Sequence, residues 1–571
     1  MIQAGPRWRA LVLVAAAVLL LAGLGGLDAD APDEPRALQI AEELRSGEHG
    51  VTGLVVLHLN GEVYTQKPPL YYWLAALAGM PGGHVSELAA RLPSALAGLF
   101  VVWLTLLLGT RMLGSGAGVL GAAILLTAYE FPYLARRVQF DVLLTAFELT
   151  ALASFWWLDR GIGSRRRHQL VLHLALGLAV LTKGPVGFLI PALTILAFLL
   201  WERRPREIAK AFPLWGLLLS LLPGVLWIAA ATALAPEGFA GVAVGENLIG
   251  RFFAGTSHAR PFWYYLWNFP LHFLPWAFAW PVVWGVARGS VFAPGGDGTA
   301  LDINGRMAST QRAWRFLLAG VATSFVFFSI SAGKRSLYLL PVFPAAALLS
   351  ADALLRWLAG RTRVPWVLGA STAVLLALLF AVGVEAIAAG LGHPLLVPKE
   401  RLAELRAPFL LAFGCGLVGI ALAGLAAGLL WVRNRVPSYG FPGLVAGTVA
   451  AVELSFFGLL LPALEPLQTL RPTAVAAREH TPPGHRIGLL GSDSMVGGLN
   501  YYGERRVTVL RAPEDVERFF AEGGGALVLK GKKLERLTVP VEIVHRTRSG
   551  GRELLVVTPR TASDTGKPRL R

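Results

Sequence analysis

Residues 138–201 read VQFDVLLTAFELTALASFWWLDRGIGSRRRHQLVLHLALGLAVLTKGPVGFLIPALTILAFLLW, and this stretch decides the architecture. It holds three apolar runs, 138–158, 168–182 and 184–201. Crossing a bilayer as a helix takes about 20 apolar residues, so each run is close to one span. Arg160, Arg165, Arg166 and Arg167 crowd the short polar gap between the first two runs. Lys183-Gly184-Pro185 divides the second from the third, giving two short helices or one broken helix. A second basic cluster, Arg203, Arg204, Arg206 and Lys210, follows.

The same alternation extends in both directions. Further candidate spans fall at about 10–27, 88–108, 112–131, 211–234, 262–287, 314–331, 337–357, 364–390, 407–432 and 439–463, which makes about thirteen. Composition agrees: of 571 residues, 54% are hydrophobic and 15% charged, with a mean hydropathy of +0.56. Soluble domains carry about 25% charged residues, so this chain cannot clothe a water-soluble particle of its size. The net charge of +16 sits in short clusters between apolar runs. That pattern orients a membrane protein by the positive-inside rule and is not a nucleic-acid footprint. Counting spans from a cytoplasmic N-terminus puts the clusters at 160–167, 203–210, 356–363 and 433–435 on the cytoplasmic side. Loops 28–87, 235–261 and 390–406 and the tail after 465 then face outward. The first run, preceded by Arg7 and Arg9, reads as an uncleaved anchor rather than a secretory signal. The lone Cys415 excludes a disulfide framework or a thiolate metal site.

The organisation expected is a transmembrane domain over 1–465, with 28–87 as an outward interfacial loop, followed by a small soluble α/β domain over 466–571. The tail carries short strand-like runs at Arg486–Leu490, Val507–Leu510, Ala526–Leu529, Val541–His545 and Leu554–Thr558, with amphipathic stretches between them. Its last ten or so residues are polar and read as disordered.

Several basic residues break the topology rule. Lys67, Arg136, Arg137, Lys183, Arg251, Lys334 and Arg335 lie at outward ends of the apolar runs. Any one of them is explained by snorkelling to the interface. Together they suit an anionic lipid headgroup, such as a polyprenyl phosphate, entering from the bilayer. Acidic residues supply a second anomaly. Asp28, Asp30, Asp33 and Glu34 open the first outward loop, where a solvated helix cap is the plain alternative. Asp141 lies inside or at the start of a span, where a carboxylate is costly and needs a cationic neighbour. The aromatics around Tyr64–Trp73 and Phe262–Trp267 read chiefly as an interfacial belt.

These residues resemble a known family. The carriers are PDEPRALQIAEEL, LNGEVYTQKPPLYYWLAAL, ELAARLPSALAG, RRVQFDVLLT, LTKGPVGFLIP, HARPFWYYL and KRSLYLLPVFPAAALL, spread over about residues 28–350. The string is similar to the bacterial polyprenyl-phosphate-sugar-dependent membrane glycosyltransferases of the GT-C class. That branch includes the lipid A aminoarabinose transferases and is related to the protein O-mannosyltransferases. The resemblance implies an all-α polytopic fold in a bacterial inner membrane, with the active site and the C-terminal α/β domain on the extracytoplasmic side. It implies a presumed catalytic carboxylate at Asp33, with Glu34 beside it and Asp141 as a second acidic position. It implies donor-phosphate contacts from Lys67, Lys183, Arg251 and Lys334 or Arg335, with Tyr338 near the headgroup. His258 matches a histidine that, in the aminoarabinose transferases, ligates zinc with a glutamate just before the loop lysine. Here Gln66 stands before Lys67, a neutral and weaker ligand, and Glu62 is out of register. No cofactor is expected firmly, and zinc at His258 is the one candidate.

The implied reaction moves a sugar from a polyprenyl-phosphate donor to a lipid, glycan or protein acceptor, with membrane lipids as surroundings and no nucleic acid partner. Negative charge grows on the departing phosphate, and fixed cations aimed at it stabilise the transition state. A hydroxyl acceptor needs a proton acceptor, worth about 10²–10⁴-fold. A single displacement inverts the anomeric centre. The competing reading is a lipid-linked sugar flippase or transporter, which predicts internal repeats and helices broken at midplane. No repeat of fixed period is visible. A membrane-anchored scaffold leaves the outward cations without a purpose.

Overall fold

The computed structural model describes residues 5–30, 32–250, 258–291, 306–359, 365–396, 407–432, 440–465, 468–491 and 493–560. Most of them are helical. Among the described residues five helices are long and apolar enough to cross a membrane, within Glu87–Met112, Phe140–Asp159, Leu214–Leu234, Thr310–Ile330 and Ser336–Leu358. Shorter apolar helices, including Ser115–Leu126 and Val186–Trp201, lie among them. The chain is a polytopic membrane protein.

By contacts the chain divides into two compact units. The first comprises Met1–Ala22, Thr65–Tyr71 and Pro93–Leu460; the second comprises Gly23–Tyr64, Tyr72–Leu92 and Leu461–Arg571. The first unit is the helical one. Its helices approach closely where glycine replaces a side chain: a Cβ on Gly121 would lie 2.6 Å from Leu348. Small residues at such crossings let backbones pack without a hydrophobic drive, as membrane helices require. An aromatic knot of Phe155, Trp156, Phe198 and Phe316 joins three helices, with ring centroids 5.2–6.4 Å apart. At the arginine-rich ends Asp159 accepts from Arg204 at 2.6 Å and Arg312 at 2.8 Å, and Glu202 accepts from Arg315 at 2.7 Å.

Two expectations meet a sharper outcome. The 168–201 stretch is two helices, Arg165–Lys183 and Val186–Trp201. They join at Gly184, whose φ of 76° lies where a side chain would be strained. The run at 262–287 is not one span but three pieces, Tyr264–His272, Trp276–Ala279 and Trp280–Ser290. Pro270, Pro275 and Pro281 each remove a helical donor there and crowd the preceding turn.

The second unit gathers chain segments more than 400 residues apart. Helix Asp33–Ser46 leads into a small hairpin, β1 (His58–Leu59) and β2 (Glu62–Val63), turned by Asn60 at φ 60° and Gly61. The C-terminal portion is a five-stranded sheet in the order β4-β3-β5-β7-β6. Its strands are β3 (Arg486–Leu490), β4 (Val507–Leu510), β5 (Gly524–Lys530), β6 (Val541–Ser549) and β7 (Arg552–Pro559). β3 pairs in parallel with β4 and β5, and β7 is antiparallel to both β5 and β6. Leu490, Phe519, Leu527, Leu529, Leu555 and Val557 form its core. The Asn60 side chain stitches hairpin to sheet, donating to the Val507 carbonyl at 3.0 Å and accepting from Asn500 at 2.8 Å.

Candidate functional site

In the helical unit the polar focus lies where helix Phe140–Asp159 begins. Gln139 caps it in extended conformation, fixed by reciprocal bonds with the Ser94 hydroxyl: its N–H donates at 2.9 Å and its carbonyl accepts at 3.1 Å. Tyr71 shares a hydrogen bond of 2.6 Å with the same hydroxyl. The capped turn sets Asp141 in the first helical turn, where the helix dipole favours a carboxylate. Asp141 is 4% exposed and forms an ion pair with Lys183, the last residue of helix Arg165–Lys183. The Lys183 ammonium also lies 4.3 Å from the centre of the Tyr338 ring. A cation held between a carboxylate and an aromatic face keeps donor capacity for a third group.

Lys67 joins the same neighbourhood through Phe140. Its ammonium stands 3.9 Å from the Phe140 ring centre, and that ring packs against Tyr71 at 4.4 Å. Lys67 and Lys183 are therefore held by adjacent residues, Phe140 and Asp141. Two helical turns further on, at i+7 from Asp141, Glu148 is buried within the reach of the Lys183 and Asp141 charges. Neither of its carboxylate oxygens has a hydrogen-bond partner among the described residues. Glu130 is also buried and lies 3.3 Å from His272.

Lys334 and Arg335, also expected at the donor site, make backbone-directed contacts. Lys334 is 3% exposed, and its ammonium donates to the carbonyls of Arg260, at 3.1 Å, and Ser331. Its backbone N–H meets the His258 carbonyl at 3.0 Å, beside a bridge between Ala259 and Gly333. Lys334 thus fastens two loops together. Arg335 precedes the turn Ser336–Val342, and its carbonyl accepts from the Tyr265 hydroxyl at 3.1 Å. Arg251 lies outside the described residues. His258 is exposed, with φ 58°, and shares no group of three metal-ligating side chains among the described residues. Gln66 is exposed.

Within the second unit the two acidic neighbours separate in role. Glu34 is 4% exposed. Arg91 grips both its oxygens, at 3.1 and 2.9 Å, and Glu34 also accepts from the Asp30 N–H at 2.9 Å. The same guanidinium donates to the carbonyls of Leu24, Leu27 and Asp28. Glu34 is consumed in fixing the turn that enters the helix. Asp33 meets Arg36 at 3.2 Å and keeps 45% of its side chain exposed.

Sequence reasoning singled out Asp141, Lys183 and Tyr338 individually, and the structure brings them together. It missed Phe140 as the platform under Lys67, and Glu148, Glu130 and Arg91. A carboxylate within an apolar run was a visible signal for Glu148. Nothing local marks Phe140 among so many phenylalanines.

Comparison with known proteins fits this geometry. Residues 66–228, which carry Lys67, Asp141, Glu148 and Lys183, match the family described as dolichyl-phosphate-mannose-protein mannosyltransferase. An uncharacterized protein of Aquifex aeolicus is 30% identical over 349 residues, 60% of this chain and 63% of its own. The undecaprenyl phosphate-alpha-4-amino-4-deoxy-L-arabinose arabinosyl transferase 1 of Pseudomonas fluorescens is 29% identical over 350 residues, 58% of this chain and 55% of its own. The chain thus spans less than two thirds of the length of these relatives. The crystal structure of ArnT from Cupriavidus metallidurans bound to undecaprenyl phosphate superposes with a TM-score of 0.74 at 22% identity, covering 99% of this chain and all of that one. The resemblance read from the sequence is borne out as a resemblance: residues 66–228 match the dolichyl-phosphate-mannose-protein mannosyltransferase family, and the fold is similar to that of ArnT.

Proposed function

We propose that the chain is a membrane glycosyltransferase that moves a sugar from a polyprenyl-phosphate donor to a lipid, glycan or protein acceptor at the outer face of a bacterial inner membrane. The observation that carries this reading is Lys183, held between Asp141 and the Tyr338 ring inside the family segment. In this reading Lys183, with Lys67 on Phe140, receives the charge that grows on the departing lipid phosphate. Neutralising charge in a low-dielectric pocket is where fixed cations act most strongly. Asp141 keeps Lys183 oriented. Asp33 is the proposed proton acceptor for a hydroxyl acceptor, because Glu34 is fully engaged by Arg91. A single displacement inverts the anomeric centre. The reading includes about thirteen spans, the four arginine-rich clusters inside, and the second unit outside.

The relatives' names support the donor class, since they speak of undecaprenyl phosphate and of arabinosyl or mannosyl transfer. The test uses the purified protein in nanodiscs with a panel of undecaprenyl-phosphate sugars. With a bacterial envelope extract added as the source of acceptor, release of undecaprenyl phosphate from at least one donor, with the sugar recovered on an acceptor, is expected. Asp33→Asn is expected to lower that release about 10²–10⁴-fold while the melting temperature holds. If no donor on the panel is consumed, and the same donors cross liposome bilayers when the protein is present, the flippase reading replaces this one.

A further inference from the structure

The second unit contains a cavity of about 680 Å³ to which nothing above assigns a role. It lies among helix Asp33–Ser46, the segment around Glu87, helix Arg471–Glu479 and helix Val496–Gly503. Pockets that hold small ligands span roughly 300–1,000 Å³, so the volume is of binding size. All of its lining residues but Val475 carry a polar group, set among apolar side-chain surface, and its four glutamates balance its four arginines.

The pairing of these charges narrows the ligand. Arg471 donates to Asp28 at 2.9 Å and Glu87 at 3.0 Å. Arg478 pairs with Glu504 at 2.9 Å, and Arg506 with Glu48. Arg505 donates to the Thr481 carbonyl at 3.0 Å. Three of these guanidinium groups are ion-paired and Arg505 has a carbonyl acceptor, so a phosphate or carboxylate ligand would meet little uncompensated positive charge and four glutamates. An acyl chain or apolar peptide would strand the charges out of water. A polyhydroxylated ligand has neither problem. Its hydroxyls donate to spare carboxylate lone pairs and accept from spare guanidinium N–H groups, leaving the ion pairs intact. The half-buried Tyr501, its hydroxyl fixed on the Val85 carbonyl at 2.9 Å, offers a rigid ring to the apolar face of a sugar.

We propose that this cavity binds an uncharged carbohydrate of about disaccharide size, the sugar portion of the acceptor. The assignment to the acceptor rests on the glycosyltransferase reading; the binding does not. The full chain in nanodiscs is titrated with N,N′-diacetylchitobiose and with cellobiose, observed by saturation-transfer NMR. Undecaprenyl phosphate binding is measured on the same preparations. Saturable binding of at least one disaccharide is expected, unaffected by inorganic phosphate. Val475→Trp, which fills the cavity from helix Arg471–Glu479, should abolish it. Glu504→Ala, at an exposed rim carboxylate, should weaken it about tenfold without altering the melting temperature. Three results each overturn the proposal: neither disaccharide binds, both variants bind as wild type does, or inorganic phosphate displaces the sugar. Disaccharide binding with no undecaprenyl phosphate binding would strike the donor reading alone. The converse would strike only this inference.

Discussion

Two buried carboxylate–cation pairs divide this molecule's chemistry between its two units. Glu34 and Arg91 are both about 5% exposed, and each is saturated: the guanidinium holds two carboxylate oxygens and three carbonyls. Asp141 and Lys183 are paired as closely but differently. Asp141 is buried, while Lys183 keeps 22% of its side chain exposed and faces a ring instead of further acceptors. The first arrangement has no capacity left for a substrate. The second has an ammonium with donors to spare. Both are ion pairs, and only their residual capacity separates a fastening from a site.

The largest effect expected tests the fastening. Removing one partner of a buried pair strands the other and costs about 3–5 kcal/mol. Arg91→Met should therefore lower stability by that order and release the chain from Leu24 to Glu34, read as an early, broadened melt. If Arg91→Met melts like wild type, Glu34 is not held by it and regains its place as rival to Asp33.

How much of this was legible in the sequence follows from the same contrast. Helical runs and strands are local signals, and all five strands of the sheet begin within two residues of their expected runs. Asp141 and Lys183 stood out because charge is rare in apolar runs, and Tyr338 entered only through the family resemblance. The difference between Asp33 and Glu34 was not legible. It depends on Arg91, 57 residues on, and on the pleat of the turn between them. The makeup of the second unit was hidden for the same reason, since its hairpin meets its sheet across 447 residues of chain. The break within 262–287 was written in three prolines that a hydropathy window averages away.

The next effect tests the site. Lys183→Met strands the buried Asp141 and should melt earlier than wild type, but its folded fraction should lose about 10²–10³-fold in kcat/KM, the usual loss of one charge-stabilising donor. A Lys183→Met protein that melts early, with activity scaling only to its folded fraction, would make this pair a fastening like Glu34 and Arg91.

A smaller loss is expected at Phe140. Its ring holds the Lys67 ammonium at 3.9 Å, an interaction worth about 0.5–2 kcal/mol depending on solvent access. Phe140→Leu keeps the apolar volume and removes the quadrupole. A loss of about 2–30-fold in kcat/KM, with kcat falling more than KM rises, fits a lysine that receives charge in the transition state. Should Phe140→Leu match wild type while Lys67→Ala is inactive, Lys67 acts without its platform.

The smallest effect probes the second unit by pH. His58 stacks on His49, ring centroids 3.6 Å apart and planes 11° from parallel. Burial and the neighbouring His49 hold the His58 imidazole below its ordinary 6.5, with Glu43 opposing and Arg506 adding to the depression. The folded state therefore binds this proton less readily than the unfolded state. Where the unfolded state binds more protons, stability rises with pH. The contribution of His58 is thus complete above 6.5 and is lost as pH falls from 6.5 through the folded value. Glu42 adds to the same slope from lower pH. Burial raises its carboxyl, but the Arg45 hydrogen bond, the Val85 N–H and nearby positive charge outweigh that and leave it depressed. Its stabilisation is present above the carboxylate range and lost on further acidification. Melting followed from about pH 8 to about pH 5 should fall on the acid side, the range in which histidine titrates. His58→Phe keeps the stacked ring and removes the proton, so it should flatten the slope near 6.5 and leave the lower, carboxylate part. An unchanged slope in His58→Phe would assign the acid sensitivity to carboxylates alone and reduce the histidine stack to packing.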